Sequence, residues 1–289
     1  MVIPEGIHHG LGMGAYHGWK VDKADLKSSP ISCSFLKSFA PNPYEWAMSP
    51  PFKQTEGMRT GSLFDLALTD PNEIQNQVVT SPFDSFRTKE AQAWKEEQIG
   101  AGKIIISGDE LSRAQKAAQE VYLHPVAGEI LDGCSFQVGI IGKIDGFHVK
   151  CLLDILPKEN GDWADCLVDY KTTANGLDDD SLAQTIGKFK YGWQGAWYLG
   201  LANKFHPTRK FVRFAFIWQS TKTLEVRVTT LSLGSTALLD GDRCIARALE
   251  EFKKCAEFGI VSRYATKVDQ VDIKPYHAMS EDMEMEVES

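Results

Sequence analysis

The sequence predicts one α/β domain, a central sheet with helices before and after it in the chain. Three observations carry this. Lys150-Cys151-Leu152-Leu153-Asp154-Ile155-Leu156-Pro157 and Leu167-Val168-Asp169-Tyr170-Lys171-Thr172-Thr173 read as apolar strands, each holding one carboxylate. Leu111, Ala114, Ala118 and Val121 recur at spacings of three and four, the stripe of an amphipathic helix. The chain has 289 residues of which 43% are apolar, enough to bury a sizeable core.

Residues 1–30 contain Gly and His and are weakly periodic, so an arm with little structure of its own is expected there. His8, His9 and His17 fall in it, and nothing in their spacing fixes a metal geometry. Ser32 or Ser34 can cap a short helix through Phe39, which Pro41 and Pro43 end. Thr60-Gly61-Ser62-Leu63-Phe64-Asp65-Leu66-Ala67-Leu68 reads as a helix closed by Asp70-Pro71, with Asp65 polar among apolar neighbours. Residues 72–106 are mixed and loop-rich apart from a helix over 89–99. Residues 107–109 cap the periodic helix, which His124-Pro125 interrupts before a short continuation over 126–131.

Strands follow at 135–141, 148–156 and 165–170, the first two joined by a turn near Asp145-Gly146. A helix is expected over 193–203. Residues 210–218 and 224–231 read as a hairpin, and a last helix spans 236–258. The expected division is an arm over 1–30, the α/β domain over 31–275, and an acidic, disordered tail over 276–289.

The net charge of −8 does not suggest a nucleic-acid partner, because phosphate contacts need local positive charge. Part of the deficit is local. Glu281, Asp282, Glu284, Glu286 and Glu288 carry five negatives, and setting them aside brings −8 to −3. Lys53, Arg59, Arg87, Lys89, Lys143, Lys150, Lys188 and Lys190 are the candidates for a basic patch. No apolar run is long enough to span a membrane and the first residues lack a signal peptide's pattern, so a cytoplasmic protein is expected. Six cysteines show no CxxC pair, which argues for reduced structural thiols rather than zinc or an iron–sulfur cluster.

The two strand carboxylates point to chemistry. Alternate strand residues share a face, so Asp169 and Lys171 project together while Tyr170 looks away. If the strands are neighbours, Asp154 lies beside Asp169. Clustered carboxylates repel, and a divalent cation is the usual remedy. Hard oxygen donors for Mg²⁺ beside one ammonium suit metal-assisted phosphodiester hydrolysis. Gln194 and Tyr198, four apart on the following helix, share a face and can contact a phosphate or orient the lysine. Each signal also has a bland reading. A D-x-K triplet is a common cross-strand charge pair, and Gln with Tyr is ordinary surface polarity.

In order, a GxxxD helix, a strand with Asp154, a strand with Asp169-Tyr170-Lys171 and a QxxxY helix resemble the PD-(D/E)XK nuclease superfamily. Within it the chain resembles the RecE-like exonucleases of phage-type recombination, relatives in mechanism of lambda exonuclease. The resemblance covers about residues 30–275. It includes Asp70-Pro71, Tyr122-Leu123-His124-Pro125, Val168 to Ala174, and a closing helix region with Phe252, Cys255, Gly259 and Tyr264.

It implies a restriction-endonuclease-like core with a mixed sheet, and Mg²⁺ or Mn²⁺ held by Asp154, Asp169 and the Tyr170 carbonyl. Lys171 would orient or activate water, with Gln194 and Tyr198 in support. Asp65 stands where relatives usually have histidine, and as an oxygen donor it can also ligate. Gln137 stands where relatives often carry a glutamate ligand. His124 is matched in relatives, though Pro125 beside it favours a helix-end role.

The implied activity is 5′-to-3′ digestion of one strand of linear duplex DNA, leaving 3′ overhangs for a single-strand annealing protein. A ring-like homo-oligomer around the DNA is implied as well. Two alternatives remain open at this point. One is another nuclease of the same fold, either an endonuclease or a DNA-end processor of a kind whose cysteine cluster this chain lacks. The other is a non-catalytic DNA-binding protein.

Overall fold

In chain order the elements are β1 (Gly6–His8), α1 (Met13–Gly18), α2 (Cys33–Phe39), α3 (Pro43–Met48), α4 (Glu56–Thr69), α5 (Pro71–Gln77) and β2 (Val78–Thr80). There follow α6 (Lys89–Gly100), β3 (Ile104–Ile106), α7 (Gly108–Leu123), α8 (Pro125–Leu131), β4 (Ser135–Ile144), β5 (Phe147–Leu156) and β6 (Cys166–Thr173). The series closes with α9 (Asp179–Lys188), α10 (Tyr191–Phe205), β7 (Arg213–Ser220), β8 (Val226–Ser232) and α11 (Thr236–Phe258). The computed structural model describes residues 2–50 and 55–262. Lys53, Tyr264 and the acidic tail lie outside the described residues.

Six strands form one mixed sheet in the order β1-β4-β5-β6-β7-β8, parallel between β6 and β7 and antiparallel elsewhere. The alternating apolar residues of the inner strands require a cover on both faces. Phe214, Phe216 and Trp218 of β7 pack on one face with Phe35, Leu36 and Phe39 of α2, Trp197 of α10 and Phe252 of α11. Ala215 and Ile217, one residue out of phase, pack on the other face with Leu63 and Phe64 of α4, Ala118 and Val121 of α7, and Ile130 of α8. No described helix is long and apolar enough to cross a membrane.

Local chemistry explains the element ends. Ser32 caps α2 by accepting the Phe35 N–H, and Ser107 with Glu110 forms a reciprocal capping box on α7. His124 caps α8, its Nδ1 accepting the Ala127 N–H at 3.2 Å, and Pro125 fills the first helical position. The helix-end reading of His124 accounts for its place.

Crossing α10 and α11 brings glycines back to back. A Cβ on Gly192 would lie 2.2 Å from the Ala237 carbonyl oxygen, and one on Gly241 would lie 2.3 Å from that of Gly192. Two bare backbones allow α10 to sit deep, with its Gln194 and Tyr198 side over the sheet.

Three expectations need correction. Residues 1–30 are not structureless: β1 pairs with β4, α1 follows, and Ile3, Tyr16 and Trp19 are buried. The buried aromatic residues are spaced too irregularly for periodicity to reveal. Residues 72–106 hold α5 and a small parallel pair, β2 with β3, besides the expected helix. Helix α9, between β6 and α10, was not foreseen. Three successive aspartates begin it, and they act as a cap and first helical turn rather than as a loop.

Candidate active site

The site begins with a break in the sheet. Antiparallel β4 and β5 pair from Ser135 with Leu156 to Ile144 with Phe147, except at the position that would join Gln137 to Asp154. Gln137 has a left-handed backbone, φ 51°, which removes it from the ladder. The facing alternation changes there too. On β5, Val149, Cys151 and Leu153 pack on the α10 side, whereas Ile155 packs on the α7 side.

Neighbouring β5 and β6 pair only at Ile155 with Val168, and the next position in register would set Asp154 opposite Asp169. The strands part at those two carboxylates. Asp154 closes the gap with its side chain, Oδ2 accepting the Tyr170 N–H at 3.2 Å. A strand residue's N–H and C=O point to the same edge, so the Tyr170 carbonyl also faces this opening.

On β6 the alternation expected from sequence holds. Tyr170 turns to the α7 side, and its hydroxyl hydrogen-bonds Gln219. Asp169 turns to the α10 side, is 1% exposed, and forms an ion pair through Oδ2 with Lys171. That oxygen makes no hydrogen bond besides the ion pair. Oδ1 accepts from Gln194 Nε2 at 2.6 Å. The amide of Gln194 therefore fixes the carboxylate that pairs with the lysine.

Tyr198, one turn along α10, meets Phe214 edge-on at 6.0 Å between ring centroids. Asp154, Gln194 and Tyr198 line one cavity of about 200 Å³.

Electrostatics tie the carboxylates together. Burial raises the Asp154 carboxyl well above the ordinary range, and the nearby charge of Asp169 raises it further. Burial also lifts Asp65 to about 6, with Asp169 adding to the shift and Lys171 opposing it. Burial alone would lower Lys171, but Asp169 and then Asp154 overcome it and hold the ammonium above the ordinary lysine value. Asp65 comes from α4 on the opposite face. A Cβ on Gly61 would lie 3.0 Å from Thr172 Oγ1, so the glycine of GxxxD lets α4 close on β6 and brings Asp65 near.

The residues present fit a hard divalent cation. Every anionic group is an oxygen donor, and burial together with the charge of Asp169 raises Asp154 and Asp65 above the ordinary carboxylate range, the situation a cation relieves. Asp65 stands within electrostatic reach of Asp154, Asp169 and Lys171, and among the described residues no three His, Cys, Asp or Glu side chains are already grouped to hold a metal. Gln137 is not in the group. It is buried and donates from Nε2 to Thr69 Oγ1 at 3.2 Å.

The sequence assigned no part of the site to the first two helices, although it named His17 and Ser34 in other roles. Met13, Tyr16 and His17 of α1 and Cys33, Ser34 and Lys37 of α2 form the cavity's other wall. Burial, then Lys150 and Lys20, lower the His17 imidazole. Burial raises the Cys33 thiol to about 11.

The α1 wall is tethered by Lys150. Its Nζ donates to the carbonyl of Tyr16 at 2.7 Å and to that of Trp19, and lies 4.2 Å from the Tyr16 ring centroid. No periodic signal linked this arm to strands 130 residues away. The expected basic patch is divided accordingly. Lys150 is buried, and Arg59 pairs with Glu110 at 2.8 Å and Lys143 with Glu5 at 3.3 Å, whereas Lys188 and Lys190 lie over the rings of Phe189 and Trp193.

Comparison with known proteins agrees with this architecture. A protein from Eubacterium rectale, provisionally named an exonuclease, has a crystal structure that superposes with a TM-score of 0.56 at 13% identity, covering 92% of this chain and 97% of its own. A phage-related exonuclease from Haemophilus somnus 129PT gives a TM-score of 0.36 at 9% identity, over 80% of this chain and 96% of its own. An alkaline exonuclease from Laribacter hongkongensis gives 0.28 at 14% identity, over 68% and 94%. The first shows the shared fold, and the other two add no argument. No curated protein gives a significant sequence match. Residues 32–273 match the family described as "PDDEXK-like domain of unknown function (DUF3799)". They span the broken strand pair with Asp65, Asp154, Asp169, Lys171, Gln194 and Tyr198, and leave out the α1 wall of the cavity. The chain belongs to this PDDEXK-like family.

Proposed function

We propose that the protein is a divalent-metal-dependent deoxyribonuclease that digests linear duplex DNA from the 5′ end. The observation that carries the reading is the parted β5–β6 ladder. It sets Asp154 opposite Asp169, with Lys171 on Asp169 and Gln194 behind it, at the edge of a cavity. A purely structural D-x-K pair would lie on a closed ladder with its charges in solvent. Here Asp169 is 1% exposed and a second carboxyl faces it.

Asp154, Asp169, Asp65 and the Tyr170 carbonyl would hold Mg²⁺ or Mn²⁺, which supplies Lewis acidity toward a phosphate oxygen. The chain's own groups do the rest. Gln194 keeps Asp169 in one rotamer by its hydrogen bond. The Lys171 ammonium, held protonated by two carboxylates, serves as a fixed cation that orients water and offsets charge growing on the scissile phosphate. The Tyr198 phenol, kept neutral by burial, can donate a hydrogen bond into the cavity. Family resemblance and the fold shared with the exonuclease-named protein from Eubacterium rectale support an exonuclease over an endonuclease. Resemblance alone supports the 3′ overhang, the annealing partner and the ring.

The test is digestion of linear duplex DNA labelled at its 5′ or 3′ ends beside closed circular DNA, with Mg²⁺ or Mn²⁺. Release of 5′ label first, with the circle intact, is the expected result. Cutting of the circle would replace the exonuclease with an endonuclease.

A further inference from the structure

We propose that Phe189 and Tyr191, flanked by Lys37, Lys188 and Lys190, form a platform on which a base of the DNA strand stacks as its phosphate enters the site. The inference rests on the nuclease reading and deepens it. Across the junction of α9 and α10 the chain reads Gly187-Lys188-Phe189-Lys190-Tyr191, aromatic and basic residues in alternation. Phe189 is 48% exposed and stacks on Tyr191, the centroids 5.7 Å apart and the rings 24° from parallel.

The inner ring touches the candidate chemistry directly. Lys171 Nζ lies 5.3 Å from the Tyr191 centroid, and Lys37 Nζ lies 5.5 Å from it. Lys37 also donates to the Phe189 carbonyl at 3.1 Å and lines the cavity that holds Asp154. Outside, Lys188 Nζ sits 5.5 Å from the Phe189 centroid, and Lys190 Nζ sits 5.0 Å from that of Trp193.

The turn is held in place. Lys190 adopts a left-handed conformation, φ 53° and ψ 45°, and its N–H and carbonyl bond to Gly187 and Trp193 at 3.1 Å each. A lone exposed phenylalanine would mean little. This one ends a continuous stack that begins at Lys171, and lysines surround the stack on a chain of net charge −8. Stacked rings accept any base, and interleaved lysines follow the backbone phosphates, the combination that binds single strands without sequence preference. A strand peeled from a duplex end is the occupant whose charge and flat faces complement both features.

The test is equilibrium binding, with chelator present to prevent hydrolysis, of labelled oligothymidylate and of an equally long backbone carrying only abasic residues. Phe189→Ala should weaken oligothymidylate binding about tenfold or more and leave the abasic backbone unaffected. Phe189→Trp should restore wild-type binding, which separates stacking from a folding defect. Equal binding by wild type and Phe189→Ala would overturn the platform while leaving the nuclease reading in place. If wild type binds neither oligonucleotide, the platform also falls, and failure to bind duplex ends in the same assay would bring down the nuclease reading with it.

Discussion

Asp154 Oδ2 accepts the backbone N–H of Tyr170 at 3.2 Å, taking the place of a strand carbonyl where β5 and β6 part. One side chain thus has two tasks: it satisfies a backbone donor in an interior strand, and it presents a carboxyl to Asp169.

Substitution separates those tasks. Asp154→Asn keeps an acceptor for the Tyr170 N–H and removes a carboxyl that burial disfavours as a charge. Its stability should equal or exceed that of wild type, with hydrolysis abolished. Asp154→Ala leaves the N–H unpaired and should cost about 1–3 kcal/mol as well as activity. Chemical denaturation of both variants checks this, and equal loss of stability in the two would contradict it.

Gln194 should matter through Asp169. Its Nε2 donates at 2.6 Å to the oxygen that Lys171 does not engage. Removing such a support typically costs about 10- to 100-fold in metal affinity or activity. Gln194→Ala should fall in that range. Gln194→Glu, which replaces the donor with a charge beside Asp169, should be worse. Metal affinity by calorimetry and hydrolysis rate measured together check the order.

Lys150 gives a pH signature away from the carboxylates. Burial lowers its ammonium to about 8 from an ordinary 10.5. Below pH 8 it is charged both folded and unfolded, and the cost of burying that charge is present in full. Between pH 8 and 10.5 the unfolded chain binds more protons, so stability rises with pH, by about 3 kcal/mol at most. Its two carbonyl acceptors and the Tyr16 ring favour the charged form and reduce that gain. Relative to Lys150→Met, wild type should therefore gain stability across this window in urea titrations. A constant difference would show that the tether holds its charge throughout.

Much of this architecture was legible because it follows short-range rules. Apolar runs marked β4 to β6, the Asp169/Lys171 alternation set a common face for those two residues, and the final helix spans residues 236–258 as expected. The four-residue spacing likewise placed Gln194 and Tyr198 on one side of α10. What escaped is long-range. The arm is tied down by Lys150, which donates to carbonyls of residues more than a hundred positions earlier. Lys37 reaches the site because α2 packs on the same face as α10. Gln137 looked like a weakened ligand. Its left-handed backbone, which no pattern of neighbours signals, turns it instead into the break that opens the sheet beside Asp154.

The central claim is that the carboxylates gathered by the strand break act with Lys171 as a hydrolytic metal site. The most direct measurement is hydrolysis of linear duplex DNA in Mg²⁺ by wild type and Lys171→Met, with metal binding to both proteins followed by calorimetry. Chelator-sensitive hydrolysis by wild type, and metal binding without hydrolysis by the variant, is the predicted result. Hydrolysis that survives in Lys171→Met, or a wild type that binds metal and cleaves no DNA, would contradict the account.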